Sequence, residues 1–212
     1  MSGERVGAAH RSQRNVGVMT TSRADSSRPD APRIEPVALD DADGELAEIL
    51  SGALTHDGRP LNIFGVLGQH PKLLKRFNLL GGFLLNKGLL PERERELVIL
   101  RVGWNAQAEY EFGQHTVIGT RCGLTDAEIT AITRPVDEGA WSADDRALLA
   151  VADELADDDC VTDATWRVLS DRWSDAELVE LLVVAGFYRL VSGFLNSTGV
   201  LLDDGVPGFP AA

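Results

Sequence analysis

The chain has 212 residues and a formal net charge of −13, from 20 Lys+Arg against 33 Asp+Glu. Hydrophobic residues make up 44% and charged residues 25%, the composition of an ordinary folded domain. No uninterrupted apolar run approaches the roughly 20 residues of a membrane span, and so acidic a surface is ill suited to phosphate backbones. The expected partners therefore include neither membrane nor nucleic acid. Two cysteines cannot build a disulfide framework, and Cys122 and Cys160 match no zinc spacing. That cysteine usage fits a reducing, cytoplasmic compartment.

Residues 1–33 carry six Arg and three acids, so the remainder of the chain has a net charge of −16. This first stretch is rich in Ser, Arg, Gly and Ala and poor in large apolar residues, so residues 1–40 are expected to be a disordered leader. Met19 is an alternative start. Residues 41–205 are expected to form one domain, and 206–212 a tail.

From residue 44 onward the apolar spacing is helical. Leu46, Ile49, Leu50 and Leu54 predict a helix over 44–54. Asp57-Gly58 and Pro60 predict a loop, and Leu61–Gly68 a short apolar helix or turn. His70-Pro71 places a cap and a first helical residue, with Leu73, Phe77, Leu80 and Leu84 on one face and Gly88 as the stop. Gly81-Gly82 either weakens that helix or admits a second backbone. Pro91 opens the next helix, with Glu92, Glu94 and Glu96 near its positive end. A further helix runs from Tyr110 to Thr120. Thr125-Asp126-Ala127-Glu128 and Ser174-Asp175-Ala176-Glu177 read as capping boxes. Helices are predicted at 143–157, 163–172 and 175–198, the last with Leu178, Leu181, Leu182, Ala185 and Leu190 as core. No strand pattern is evident. The class is all-α, with about eight helices.

The chemistry concentrates in Trp104–Gly123. Glu111 and His115 stand at i, i+4, one turn apart on one helix face, where a carboxylate orients an imidazole and raises its basicity. Tyr110 and Gln114 form the neighbouring stripe. Glu96 is a third candidate, but on one straight helix it would be about 28 Å from His115 at 1.5 Å per residue. The two can cooperate only if the chain breaks between Gly103 and Ala108. His10, His56 and His70 lack such neighbours. No metal-ligand spacing, phosphate loop or nucleophile elbow is present, and the two cysteines read as buried free thiols.

The block from His70-Pro71 through PERERELVILRVGWNAQAEYEFGQHTVIGTRCGLTDAEI, resumed at ELVELLVVAGFYRLVSGFLNSTGV, resembles the carboxymuconolactone decarboxylase family. That family includes peroxidases of the alkyl hydroperoxide reductase D type. The peroxidase motif is Glu, eleven residues, Cys-x-x-Cys, three residues, His. Here Glu96 and His115 stand at the motif's ends, with Ala108 and Glu111 in place of both cysteines. A thiol peroxidase needs those thiols, so dithiol chemistry is rejected.

The resemblance implies a helical fold of this family, a homo-oligomer (trimer or hexamer) and a small-molecule substrate. It also implies a lyase needing no metal or organic cofactor, acting on a carboxylated lactone or related carbonyl compound. In that reading His115, Glu111 and Glu96 are catalytic, with protonated His115 as the general acid. Tyr110 and Asn105 would bind the carbonyl, Trp104 would wall the site, and Arg101 would anchor a carboxylate. An isomerase or cyclase, or a non-catalytic small-molecule-binding protein, would suit the same scaffold.

Overall fold

A computed structural model describes residues 28–29, 31–56 and 58–211. The central element is the helix whose sequence is least amphipathic. In α4 (Glu92–Asn105) every residue from Arg95 to Gly103 is buried. A helix covered on all sides has no polar face, so its charged residues must find partners inside. It packs against α5 (Glu109–Arg121), α7 (Ala143–Asp158) and α9 (Asp175–Thr198). Before it come α1 (Gly44–Ser51), α2 (Asn62–Leu67) and α3 (Pro71–Asn86); α6 (Asp126–Ile132) and α8 (Asp163–Arg172) complete nine α-helices among the described residues.

Two apolar clusters meet at α4. The larger draws on Leu74, Leu84, Val98, Leu148, Leu181 and Val184, among others. The smaller gathers Leu97, Leu100, Phe112, Ile132 and Leu149. The all-α class expected from the periodicity is observed. Both capping boxes form, with the Thr125 and Ser174 hydroxyls accepting from the Glu128 and Glu177 amides. His70 caps α3 as expected, its Nδ1 accepting from the Leu73 amide.

Several expectations change. Thr55–His56 and Arg59–Pro60 pair as a two-residue antiparallel ladder where only a loop was expected. The helix before Gly88 ends at Asn86. Gly88 instead leaves room for Glu180, whose Oε1 would lie 2.2 Å from an added Cβ. Residues 1–27, with His10 and Met19, lie outside the described residues. The last part of the expected leader is held in place: the Arg33 amide donates to Thr198 O (2.8 Å) and the Val37 amide to Gly65 O (3.0 Å). The expected tail packs as well, with Val206 buried.

Cys160 is exposed and Cys122 only half-buried, so neither is a core thiol. Leu73, Leu80 and Leu190 are exposed, on faces that one copy of the chain does not cover. By length and composition α9 is apolar enough to cross a membrane, contrary to the reading of the sequence, but half of its apolar window is buried inside this fold.

Glu180 is a buried acid on α9 that holds the start of α4. Its carboxylate accepts from the Leu89 amide (2.8 Å) and the Leu90 amide (3.0 Å). Glu180→Ala leaves both donors unmet, and should lower stability by about 2 kcal/mol or more in urea unfolding. Glu180→Gln, which keeps one acceptor oxygen, should lose less. Equal stability of the alanine variant and the parent would refute this role.

Candidate active site

The break required between Glu96 and His115 occurs at Ala106–Ala108. Gln107 adopts a left-handed conformation (φ 50°) and its side chain donates to Trp104 O at 2.7 Å. Asn196 on α9 donates to Ala106 O at 2.9 Å, pinning the turn. Gly103 lets the backbone of Phe112 approach, so α4 and α5 fold into a close antiparallel hairpin. Residues nineteen apart in sequence thereby meet: Glu96 Oε2 lies 2.6 Å from His115 Nδ1.

The charges continue on both sides of this contact. Arg95 Nε donates to Glu96 Oε1 at 2.9 Å, and Arg95 Nη1 donates to Leu85 O on α3. On the other edge of the ring, His115 Nε2 is 3.2 Å from Glu111 Oε1, an ion contact one helical turn long. That oxygen is buried and has no directed hydrogen bond. Glu96 is 0% exposed, Glu111 3% and His115 5%. Burial opposes a charged ring here, but the adjacent Glu96 and Glu111 outweigh it, and the imidazolium is pushed up to about 10. His115 is therefore an acid at neutral pH.

The ring opens onto a cavity of about 280 Å³, in the space where α3 stands off from α5 and α9. Glu111, His115, Tyr110 and Gln114 line it from α5, and Phe187 and Tyr188 from α9. Glu96 does not line it. The Nδ1 edge of His115 is thus the deep one, and the Nε2 edge shares the cavity with Glu111. Tyr188 stands edge-on to the imidazole, ring centroids 4.8 Å apart. Burial, then the charges of Glu111 and Glu96, raise its hydroxyl well above the ordinary value. Gly81-Gly82 admits no second backbone; an added Cβ at Gly81 would meet the Phe187 ring at 3.5 Å.

Of the expected substrate-binding residues, only Tyr110 borders the cavity. Its hydroxyl is already engaged, donating to Asp203 Oδ2 at 2.5 Å and accepting from the Ile63 amide at 3.3 Å. Gln114 donates to the same Asp203 oxygen at 2.7 Å. Arg101 is paired with Asp153 (2.6 Å from Nε to Oδ1) and donates to Ile132 O and Arg134 O. Asn105 donates to Asp153 Oδ1. Trp104 packs edge-on against Phe112 and Phe209. Arg101 and Asn105 thus share Asp153 on another side of α4, and Trp104 belongs to the Phe112 cluster. At 100° per residue, Arg101 and Asn105 lie about 140° and about 180° round the helix from Glu96. That angle could have been read from the sequence.

Asn78, Tyr188 and Asp203 were not anticipated. Tyr188 was the most visible of them, a hydroxyl on the buried face of α9 that also carries Leu181, Val184 and Leu195. Among the described residues no group of three or more His, Cys, Asp and Glu is arranged to hold a metal ion.

The model of the carboxymuconolactone decarboxylase family matches residues 71–154, which include α4, α5 and the whole Glu96–His115 hairpin. Among solved structures, the chain is similar to an alkylhydroperoxidase AhpD core, an uncharacterized peroxidase-related protein from Ralstonia eutropha JMP134. The TM-score is 0.70 and the identity 17%, over 80% of this chain and 94% of that one. An uncharacterized peroxidase-related protein from Silicibacter sp. TM1040 gives a TM-score of 0.71 at 16% identity, over 84% and 96%. A variant of the debrominase Bmp8 in complex with 2,3,4-tribromopyrrole gives 0.68 at 16%, over 81% and 92%. At such identities these likenesses establish the fold. No curated protein matches the sequence.

The raised value of His115 sets a pH window. A raised basic group stabilises the fold fully below its unfolded value, near 6.5, and that contribution is lost as pH rises through about 10. The stability difference between the parent and His115→Gln, measured by urea midpoints at pH 6, 8 and 10, should shrink across this range. A constant difference would show that the ring is not held protonated by Glu96 and Glu111.

Proposed function

We propose that this protein is an enzyme that moves protons on a small carbonyl compound through a His115–Glu111 acid–base pair. The observation that carries the reading is the contact between His115 Nε2 and Glu111 Oε1 (3.2 Å) at the wall of a mostly apolar cavity. A protonated imidazole and a carboxylate side by side give one donor and one acceptor for the same substrate. Glu111 removes a proton from carbon next to a carbonyl while His115 Nε2–H stabilises the developing oxyanion. Returning the proton to another position isomerises the compound. In a decarboxylase-like lyase, carbon dioxide leaves in place of the first proton, and His115 protonates the resulting carbanion or enolate. Glu96 acts behind the ring by holding it charged and fixing its orientation. Proton transfers of this kind need no cofactor.

The cavity favours the first variant. Among the described residues no Lys or Arg lines it, and Arg101, the expected carboxylate anchor, is committed to Asp153. The family-model match over residues 71–154 and the structurally similar debrominase, in complex with 2,3,4-tribromopyrrole, support a small-molecule-acting enzyme. Thiol chemistry has less support, because no cysteine lines the cavity. Burial and the charges of Glu96 and Glu92 also raise the Cys122 thiol, disfavouring thiolate.

A homo-oligomer belongs to the same proposal. Val179, Val183 and Leu190 are exposed on α9 and, with Gly186 and Gly193, fall within about 80° of one helix face. Leu73, Leu79, Leu80 and Phe83 are exposed on α3, the helix that roofs the cavity. So much exposed apolar surface on a strongly acidic chain fits a face covered by a second copy.

Two measurements follow. A panel of small unsaturated lactones and β-keto acids in D2O, followed by NMR, should show deuterium exchange, isomerisation or loss of carbon dioxide with the parent protein. His115→Ala and Glu111→Gln should each reduce the rate about 100-fold or more, with the helical content retained. An unchanged rate in both variants would remove the acid–base pair. Light scattering during gel filtration should give a multimer for the parent and a smaller species for Val183→Arg with Leu190→Arg; a monomeric parent would sink the oligomer.

A further inference from the structure

The chain has two tyrosines, and both border the cavity. Their hydroxyls are used differently. Tyr110 is locked into the scaffold, donating to Asp203 Oδ2 and accepting from the Ile63 amide. Tyr188, near the middle of α9, makes no hydrogen bond through its hydroxyl among the described residues. The side chain is nonetheless 3% exposed. Buried tyrosine hydroxyls normally find a partner, and one left without a partner is costly. Packing alone does not account for it, since phenylalanine would fill the same space without that cost.

The hydroxyl also differs from the other unpartnered polar atoms nearby. Asn78 Oδ1, Glu111 Oε1 and Ser192 Oγ (the last one turn further along α9) are shut off from solvent. The Tyr188 hydroxyl is not enclosed in this way and keeps accessible surface. For a side chain this buried that lines the cavity, that surface is the cavity wall. The ring is fixed on two sides, edge-on to His115 and to Phe187, with centroids 4.8 Å and 5.4 Å away. Burial, then Glu111 and Glu96, disfavour a tyrosinate, so the group keeps its O–H and adds no charge of its own.

We infer that Tyr188 is a further catalytic residue, its Oη–H donating to the carbonyl oxygen of a small ketone or lactone held in the cavity. This rests on the cavity being the active site proposed above, and it names the group that takes the substrate oxygen there. Tyr188 joins His115 as a second donor and keeps its proton throughout. As the enolate forms, negative charge builds on that oxygen, and both donor contacts strengthen. Phe64, Phe77 and Phe187 are on the walls that take the apolar body of the compound. A hydrocarbon of the same shape would fill the space and leave the hydroxyl without an acceptor.

Binding tests this without turnover. The probes are cyclohexanone and δ-valerolactone, each labelled with 13C at the carbonyl, and methylenecyclohexane, a hydrocarbon of the same shape. Each is titrated by NMR against the full-length protein and against Tyr188→Phe at pH 7. The variant keeps the ring and breaks no hydrogen bond within the chain, so its urea midpoint should equal or exceed that of the parent. It should bind at least one carbonyl probe about fivefold more weakly or worse, and methylenecyclohexane within about twofold of the parent. The 13C resonance of that bound carbonyl should move upfield in the variant, as expected when a donor is lost. The inference is overturned if neither carbonyl probe binds the parent, or if the variant keeps full affinity for both. It is also overturned if the variant loses stability or weakens all three probes alike, since the hydroxyl would then be structural. Parent protein that grips a carbonyl through Tyr188 but exchanges no protons in D2O would refute the acid–base reading alone.

Discussion

Burying Glu96 completely is the constraint around which the rest of this molecule is arranged. An ionised carboxylate without solvent costs several kcal/mol unless matching charges and hydrogen bonds surround it. Arg95 supplies one match from the same helix, and His115 supplies the other from the neighbouring one. The second match requires α5 to reverse direction against α4, and hence the left-handed Gln107, the close approach at Gly103 and the Asn196 brace on the turn. The centre of the fold and its proton-carrying group are thus set by the same requirement.

That coupling explains why the cavity sits where it does. His115 is oriented from its deep edge by Glu96, so its other edge must face outward from α4. What it faces is the gap under α3, which is kept open by Gly81 and Gly82 and bridged by the Phe77–Phe187 ring contact (centroids 5.0 Å apart). The opposite flank of α5 is tied down by the C-terminal segment. Asp203 accepts from Tyr110, Gln114 and the Asn62 amide, and the backbone at Pro207 passes so near Gly113 that an added Cβ would collide with it. Tyr110 and Gln114 therefore serve as fixed walls, with their polar ends committed away from a ligand.

Local rules were sufficient for most of the helices, because their signals lie within one turn: Thr125 with Glu128, Ser174 with Glu177, Pro71 after a capping His70. The i, i+4 relation of Glu111 and His115 was readable for the same reason. Contacts across the hairpin were not, since no local pattern says how far α5 folds back along α4. Arg101 and Asn105 do not reach the cavity, since both project from other sides of the helix than Glu96 and are held there by Asp153. Asn78 and Tyr188 come from segments more than a hundred residues apart, and only the tertiary fold brings them to one cavity; Asp203 reaches its wall only through Tyr110 and Gln114. The exposed Leu73, Leu80 and Leu190 show a different limit. Helical periodicity marks a face as apolar without saying whether the same chain or another copy covers it.

The replacement of the two peroxidase cysteines has a structural consequence as well as a chemical one. Ala108, at the first of those positions, is fully buried at the start of α5 and is not part of the cavity wall. Glu111, at the second, occupies the wall next to His115. A pair of thiols there would pass electrons to a peroxide. A carboxylate cannot, but it can accept a proton from a neighbour that the same helix holds in its acidic form. On the acid–base reading proposed above, keeping Glu96 and His115 with Glu111 in place of the second cysteine retains the proton-handling half of the motif and adds a second proton carrier where a sulfur would stand. The scaffold tolerates the change because the added negative charge lies against an imidazolium already stabilised from behind, so that no new buried charge is left alone.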